Sequence, residues 1–430
     1  MGWKLSGGPL NFQAVYYGSR CLLQHNNPYS ATEVDRVYRS EGGYSQSAEA
    51  WQHRDMTLYV NTPATLLVVA PFAMLPLSAA QWLWTVLNAA SLILAAFLMW
   101  DLGADYAPVL SGCLVGFLLA NCENVFAGGN TAGIVTGLCI VSAWCLLRDR
   151  FVPTGIMCMA LSLVIKPHEA GLVWLFFLLA GGVNRRRAVQ TAILAAILML
   201  PAVLWVSHVA PSWMDDWSSN LAAISAPGGI NDPRPTSVTN ITADNVISLQ
   251  AVFSIFSDNP RIYNLASYLV GGVPLLLWAI TALRSRFSAR LAWLALAAVV
   301  PLTMLVTYHR VHDAKLLLLM VPACVMLWAE GGAIGRTATL LTAAVFALTA
   351  DIPLAILCEF SQRLHLSTAA LSGQILTVLL VRPDQEILIA TGIFFLWFYM
   401  RQSQAWGNPA GPREAEHALV NPSGPGRSRA

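Results

Sequence analysis

Twelve apolar segments follow one another along this chain, at 62–78, 80–100, 107–121, 131–147, 151–165, 170–183, 188–208, 264–283, 291–307, 315–329, 337–357 and 386–400. A bilayer crossing takes about 20 mostly apolar residues. Several segments are shorter, so the pattern predicts roughly 10 to 12 crossings. The expected fold class is all-α, a polytopic transmembrane helical bundle. Charge agrees with it. Asp, Glu, Lys and Arg supply 11% of the 430 residues, against about 25% in a typical soluble domain. So few charges could not cover a soluble protein of this size. The 15 Trp, 11 Tyr and 16 Phe suit a chain with two membrane interfaces to line.

Three polar regions flank or interrupt the apolar series. Residues 1–60 are mixed in charge, 209–262 form a long loop rich in Pro, Gly, Asn, Asp and Ser, and 401–430 read as a disordered tail. The organisation expected is an outer N-terminal loop region (1–60), a membrane domain (61–400) with an outer loop at 209–262, and a cytoplasmic tail (401–430). A formal net charge of +2, with no basic run interleaved with aromatics, sets nucleic-acid binding aside. None of the eight Cys forms a CxxC pair, and most lie in apolar runs as small buried hydrophobes. A bridge among Cys21, Cys122 and Cys358 is the competing reading.

Arginines orient the chain. Arg148 and Arg150 flank one turn, Arg185, Arg186 and Arg187 a second, Arg284, Arg286 and Arg290 a third, and Arg336 a fourth, while Arg401 opens the tail. Lys and Arg in short loops mark the cytoplasmic side. With these turns inside, 121–130, 166–169, 209–262, 308–314 and 358–385 fall outside, together with seven of the eight His if residues 1–60 are outside too. Function is expected to face outward. Parity then requires that one of 62–78, 80–100 or 107–121 does not cross fully.

The stretch Lys166-Pro167-His168-Glu169 interrupts an apolar run. Charge in hydrocarbon is costly and is usually kept for use. Pro167 removes an N–H and ends the preceding helix, so these residues are expected at the tip of a hairpin whose other ends carry Arg150 and Arg185. The competing reading is an interfacial turn with a snorkelling Lys166.

Three further stretches share the expected outer face: residues 7–30 (GGPLNFQAVYYGSRCLLQHNNPYS), 121–133 (NCENVFAGGNTAG) and 307–319 (TYHRVHDAKLLLL). Cations at Lys166, Arg310 and Lys315 beside a membrane suit a lipid phosphate, Arg as a planar fork and Lys as a point charge. His309, His312 and Asp313 do not follow a recognised zinc spacing, and no cofactor is expected. Each stretch also has a plain reading: a hydrated interfacial loop, a helix cap at Asn130 or Thr131 beside Gly128 and Gly129, or interface anchors at Tyr16 and Tyr17.

At these residues the chain resembles glycosyltransferase family 87, of the GT-C class. LNFQAVYYGSRCLL followed by NNPY looks like the family's Asp-Phe-x-x-x-Tyr-Tyr opening and its Pro-Tyr. YVNTPATLLVVAPFAMLPLSAAQWLWTVLNAASL is similar to its Tyr-x-x-Pro helix, GGNTAGIVTGLCIVSAWCLLRDR to its Gly-Gln-x-Asn helix, and GIMCMALSLVIKPHEAGLVWLFFL to its Gly-rich helix ending in Lys-Pro. The likeness covers roughly residues 7–330. It implies a multi-pass enzyme of the cell inner membrane. The donor would be a polyprenyl-phosphate sugar of the mannose or arabinofuranose class, and the acceptor a lipid or envelope glycan on the outer face. Such enzymes invert the anomeric carbon, with an acidic residue as base and cations on the departing phosphate.

Two departures accompany the resemblance. The position of the family's acidic residue is Asn11, and an amide has no titratable carboxylate. Asp35, Asp55, Glu123, Glu169 and Asp313 are the acids nearby, with Glu123 or Asp313 as the replacement base. The helix that should precede this opening has no counterpart, for which a start codon placed too late is the simplest account. Lys166, Arg310 and Lys315 are expected to hold phosphate. His168, His309 and Asn130 would orient donor or acceptor, and Tyr16, Tyr17 and Asn11 would line the sugar site. Two rival functions are a transporter or flippase for a lipid-linked sugar and a non-catalytic scaffold. The crowding of charge on one face speaks against the first, and Asn11 speaks for the second.

Overall fold

The computed structural model describes residues 10–42, 58–234, 246–353, 356, 359, 371–381 and 383–407. Residues 1–9 and 43–57, with the candidate base Asp55, lie outside the described residues, as do Cys358 and the tail from 408 onward.

The structure is a helical bundle, as the apolar series requires. The family's opening motif is not a loop but a helix, α1 (Leu10–Leu23), followed by α2 (Ala31–Ser40), whose N-cap Ser30 accepts the Glu33 N–H. Next come α3 (Pro63–Ala73), α4 (Leu77–Ala104), α5 (Pro108–Ala120), α6 (Glu123–Gly128) and α7 (Ala132–Leu147). Of the three segments in the parity conflict, α3 is the short one. Its 11 residues rise about 16 Å, against a hydrocarbon core of about 30 Å.

The arms α8 (Val152–Ile165) and α9 (Pro167–Leu179) follow, then α10 (Gly182–Val209) and the loop helices α11 (Trp213–Ser225) and α12 (Leu249–Phe253). The chain continues through α13 (Pro260–Arg284) and α14 (Ala289–Val306) to a 3-10 helix (Asp313–Met320) running into α15 (Val321–Glu330) and α16 (Gly332–Leu348). The last helices are α17 (Leu371–Val381), in a stretch read from sequence as an outer loop, and α18 (Pro383–Gly407). The described strands are β1 (Val246–Ile247) and β2 (His309–Arg310), antiparallel with Val246 opposite Arg310.

Among the described residues, five stretches are long and apolar enough to cross a membrane: Leu77–Ala104, Pro108–Gly128, Gly182–Val209, Pro260–Arg284 and Ala289–Val306. Burial separates the centre from the rim. The apolar window of α14 is 83% buried, that of α10 only 11%. A helix apolar all round belongs in a bundle core, and α14 sits there against α9, α13, α15 and α18. Helix α10 presents Ile193, Ile197, Leu200 and Leu204 outward, as a lipid-facing helix does. Chain class and membrane association thus follow from the same apolar pattern.

The ends of the bundle differ chemically. Arg187, at the start of α10, donates to the Leu146 carbonyl and pairs with Asp149 in the α7–α8 turn. Arg148 faces Asp105 at 3.5 Å, and Arg290 pairs with Glu330. The arginine-bearing ends of α8 and α9 therefore meet, so the two helices form the expected hairpin, with Lys166 at its opposite end. Of the cysteines, Cys21, Cys122, Cys139, Cys145 and Cys324 are free and buried, in keeping with the packing reading.

Candidate functional site

Pro167 fixes the local geometry of the hairpin tip. It stands at the first position of α9, and Lys166 is the single non-helical residue between the arms, at φ −145° and ψ 76°. Ending α8 there leaves carbonyls without intrahelical partners. Two threonines from the start of α3 take them: Thr62 Oγ1 donates to the Val164 carbonyl, and Thr65 Oγ1 to that of Ile165 at 3.2 Å. These partners were not singled out from sequence. Their clue is the Thr62-x-x-Thr65 spacing around Pro63.

Lys166 is buried, not snorkelling. Its Nζ donates to Asp313 Oδ1, lies 3.4 Å from Glu169 Oε2 and 3.5 Å from Asn130 Oδ1. Glu169 is fully buried and accepts from Thr136 Oγ1 at 2.9 Å. Asp313 Oδ2 accepts the Arg310 backbone N–H at 2.8 Å, and His312 Nε2 lies 3.5 Å from its Oδ1. One ammonium thus joins two carboxylates. Buried ions are tolerable only when paired and hydrogen-bonded in this way.

Histidines surround the pair. The ring of exposed His168 stands edge-on to buried His309, with centroids 5.3 Å apart. His309 Nδ1 is 3.1 Å from the Thr307 carbonyl, while its Nε2 is buried without a hydrogen bond. Burial, reinforced by nearby Lys166, lowers the pKa of both His309 and His312, the latter to about 3, against the opposing pull of Asp313. Both imidazoles are therefore neutral near neutral pH. The cluster is open to solvent where His168 and Thr307 are exposed.

Arg310 is held in the wall by side chain and backbone. Its Nε donates to the Tyr308 hydroxyl and its Nη2 to the Ile230 carbonyl at 2.5 Å. Strand β1, paired with it, is fixed in turn by Gln385 Nε2 on the Val246 carbonyl at 3.1 Å. The long polar loop and the first turn of α18 thereby close over this end of the bundle.

Asn11 is half-buried on α1 beside Gly128. A Cβ on that glycine would come within 2.9 Å of Asn11 Nδ2, so the missing side chain admits the amide. Gly129 follows in the left-handed region at φ 59°, its carbonyl held by Trp84 Nε1 at 2.8 Å. Asn130 comes next, capping α7 through Oδ1 on the Ala132 N–H at 2.9 Å. One short turn therefore touches Asn11 at one end and Lys166 at the other.

The remaining candidates have surroundings of their own. Tyr16 and Tyr17 turn into an aromatic cluster with Phe12 and Tyr38, and the Tyr16 hydroxyl donates to the Leu75 carbonyl at 2.7 Å. Lys315 points to the Asn121 carbonyl and lies 3.5 Å from Asp351, a residue the sequence reading passed over. Glu123 is exposed at the start of α6. Asp35 pairs with Arg39 at 2.8 Å. Among the described residues no group of three His, Cys, Asp or Glu is arranged to hold a metal ion.

No curated protein and no solved structure matched the chain. The family model of glycosyltransferase family 87 matches residues 59–308, from the start of α3 through β1 to the residue before His309. That is more than half of the chain and includes the Thr62–Thr65 caps, the Asn130 turn and the Lys166 tip. The multi-pass helical bundle is the fold such an enzyme needs, and the chain belongs to glycosyltransferase family 87, a family of membrane glycosyltransferases.

Proposed function

We propose that the protein transfers a sugar of the mannose or arabinofuranose class from a polyprenyl-phosphate donor to a lipid or envelope glycan acceptor. The reaction would take place on the outer face of the cell inner membrane. The observation that carries this reading is the buried Lys166–Asp313–Glu169 cluster, at the end of the bundle opposite the arginine turns. Lys and Arg favour the cytoplasmic side, which supports an outer position for the cluster. A fixed ammonium beside a lipid headgroup is what a departing phosphate requires.

In this reading Asp313 and Glu169 hold Lys166 in place before the donor arrives. The phosphate approaches from the side opened by His168 and Thr307 and takes up the positive charge. Arg310 keeps β2 and the Asp313 carboxylate in register. Asn130 and Asn11 orient hydroxyls of the donor sugar or acceptor through their amides. Asn11 supplies no base. Asp313 is committed to Lys166, so of the two candidate bases Glu123 is left, exposed at the start of the helix α6 whose last residue, Gly128, lies against Asn11; it takes the acceptor proton as the new glycosidic bond forms and the bond to phosphate breaks.

The test supplies membranes with labelled polyprenyl-phosphate mannose and polyprenyl-phosphate arabinose and counts sugar transferred to lipid. Transfer by the unaltered chain, lost in Lys166→Ala, supports the reading. Wild-type rates in Lys166→Ala overturn the phosphate assignment. A second reading, a non-catalytic scaffold, is favoured by Asn11 alone. Transfer only after Asn11→Asp would establish it, since the site would then be intact but without its base.

A further inference from the structure

We propose that Lys315 and Asp351 form a latch that positions the Asn121–Asn130 segment against Lys166. Asp351 is then a positioning residue for the reaction. The inference rests on the transferase reading above and gives Lys315 a role other than phosphate binding.

The latch is built from both sides. Lys315 Nζ donates to the Asn121 carbonyl and lies 3.5 Å from Asp351 Oδ1. Asp351 Oδ2 accepts the Asn124 backbone N–H at 2.8 Å, and its Oδ1 accepts Asn124 Nδ2 at 3.3 Å. Asn121 Oδ1 in turn accepts the Ile352 N–H at 3.3 Å. Lys315 and Asp351 are both buried, so water offers these groups little alternative. A buried pair linked to several backbone groups is stiff, because releasing any one leaves another unsatisfied.

Its placement ties it to the chemistry. The 3-10 helix that sends Lys315 to Asn121 also sends Asp313 to Lys166. The gripped turn leads directly into α6, whose end lies against Asn11, and then to Asn130, 3.5 Å from Lys166. One rigid element thus sets both the ammonium and the turn facing it. A displacement of about 1 Å in such a constellation costs about 100-fold in rate.

Cys122 reports on the latch independently of sugar transfer. It lies within the gripped turn and is buried, with Sγ 3.3 Å from the Leu118 carbonyl. The experiment labels the full chain in membranes with a maleimide and follows Cys122 and Cys139 by peptide mass, with transfer measured in parallel. In Asp351→Ala, Cys122 labelling is expected to rise at least about ten-fold while buried Cys139 stays protected. In the same variant kcat falls about ten-fold with little change in donor KM, the pattern of lost transition-state alignment. Asp351→Asn keeps an oxygen for Asn124 but loses the charge facing Lys315. It is expected to fall between, and it serves if the alanine variant does not fold. Unchanged Cys122 protection in both variants overturns the latch. Faster labelling with unchanged kcat overturns its link to the reaction. If the unaltered chain transfers no sugar, the transferase reading fails, and the Cys122 rates alone decide whether the latch exists.

Discussion

Lys166 and Asp313 lie 147 positions apart in the chain and meet in one buried ion pair, with Glu169 on the other side of the ammonium. The asymmetry of one cation between two carboxylates ranks the variants. Asp313→Ala leaves Lys166 neutralised by Glu169. Lys166→Ala strands both acids. Removing one partner of a buried pair costs about 3–5 kcal/mol, so Lys166→Ala should have the lower thermal midpoint in detergent and Asp313→Ala an intermediate one. The reverse order would mean that Glu169 does not share the charge. A tolerated Lys166→Met/Asp313→Leu double variant that is folded but inactive would assign the pair to function.

The glycines of the site end make a second, graded test. A methyl on Gly137 meets Ser91 Cβ at 2.7 Å and the Ser91 carbonyl oxygen at 2.9 Å. Backbone cannot move aside easily, so Gly137→Ala should force α4 and α7 apart and cost about 1–3 kcal/mol. A methyl on Gly128 meets only the end of the Asn11 side chain, at 2.9 Å. That amide can turn away, so Gly128→Ala should cost about 1 kcal/mol or less. It should nonetheless depress transfer, because Asn11 is displaced. Thermal midpoints and transfer rates measured side by side check both halves, and a large stability loss in Gly128→Ala would contradict the open placement of Asn11.

The twelve apolar segments are legible because hydrocarbon imposes length and composition on each of them separately. Each finds a helical counterpart, with 315–329 divided between the 3-10 helix and α15. Pro167 announces its own helix break, and the charge beside it marks the candidate site. Pairings are another matter. Nothing local to Lys315 says that its partner is Asp351, and phosphate binding is as natural a reading of an isolated lysine near a membrane. Tyr16 and Tyr17 suit an interface anchor equally well as a core, and only the facing Phe12, Tyr38 and Leu75 decide for the core. Helix α17 is only 11 residues long and includes Ser372, Gly373, Gln374 and Thr377, too short and too mixed to read as a crossing.

The threonine caps at the hairpin tip should matter in proportion to burial. Thr65 is fully buried and donates to the Ile165 carbonyl at 3.2 Å, immediately before Lys166. Thr65→Val preserves shape but leaves that carbonyl without its donor, for a cost of about 1–3 kcal/mol. Thr62 is only half-buried, and water can replace it in Thr62→Val at smaller cost. Chemical denaturation in detergent reads the difference. Equal effects would show that the buried hydroxyl does not hold the end of α8.

Acid should weaken the site through its histidines. Burial lowers the pKa of His312 from the usual 6.5 to about 3, with Lys166, Arg310 and Lys315 adding to the effect and Asp313 opposing it; His309 is lowered as well. Below pH 6.5 the unfolded chain therefore binds protons that the folded chain refuses. The stability is fully present above that pH and declines as pH falls from 6.5 toward the folded-state value near 3. The thermal midpoint of the wild type in detergent should drop steadily as pH is lowered from about 7 to about 5. His312→Gln removes one of the refused protons, so its midpoint should fall less steeply over the same range. A parallel slope in wild type and variant would mean that His312 takes up its proton in the folded state and is more open to water than its burial indicates.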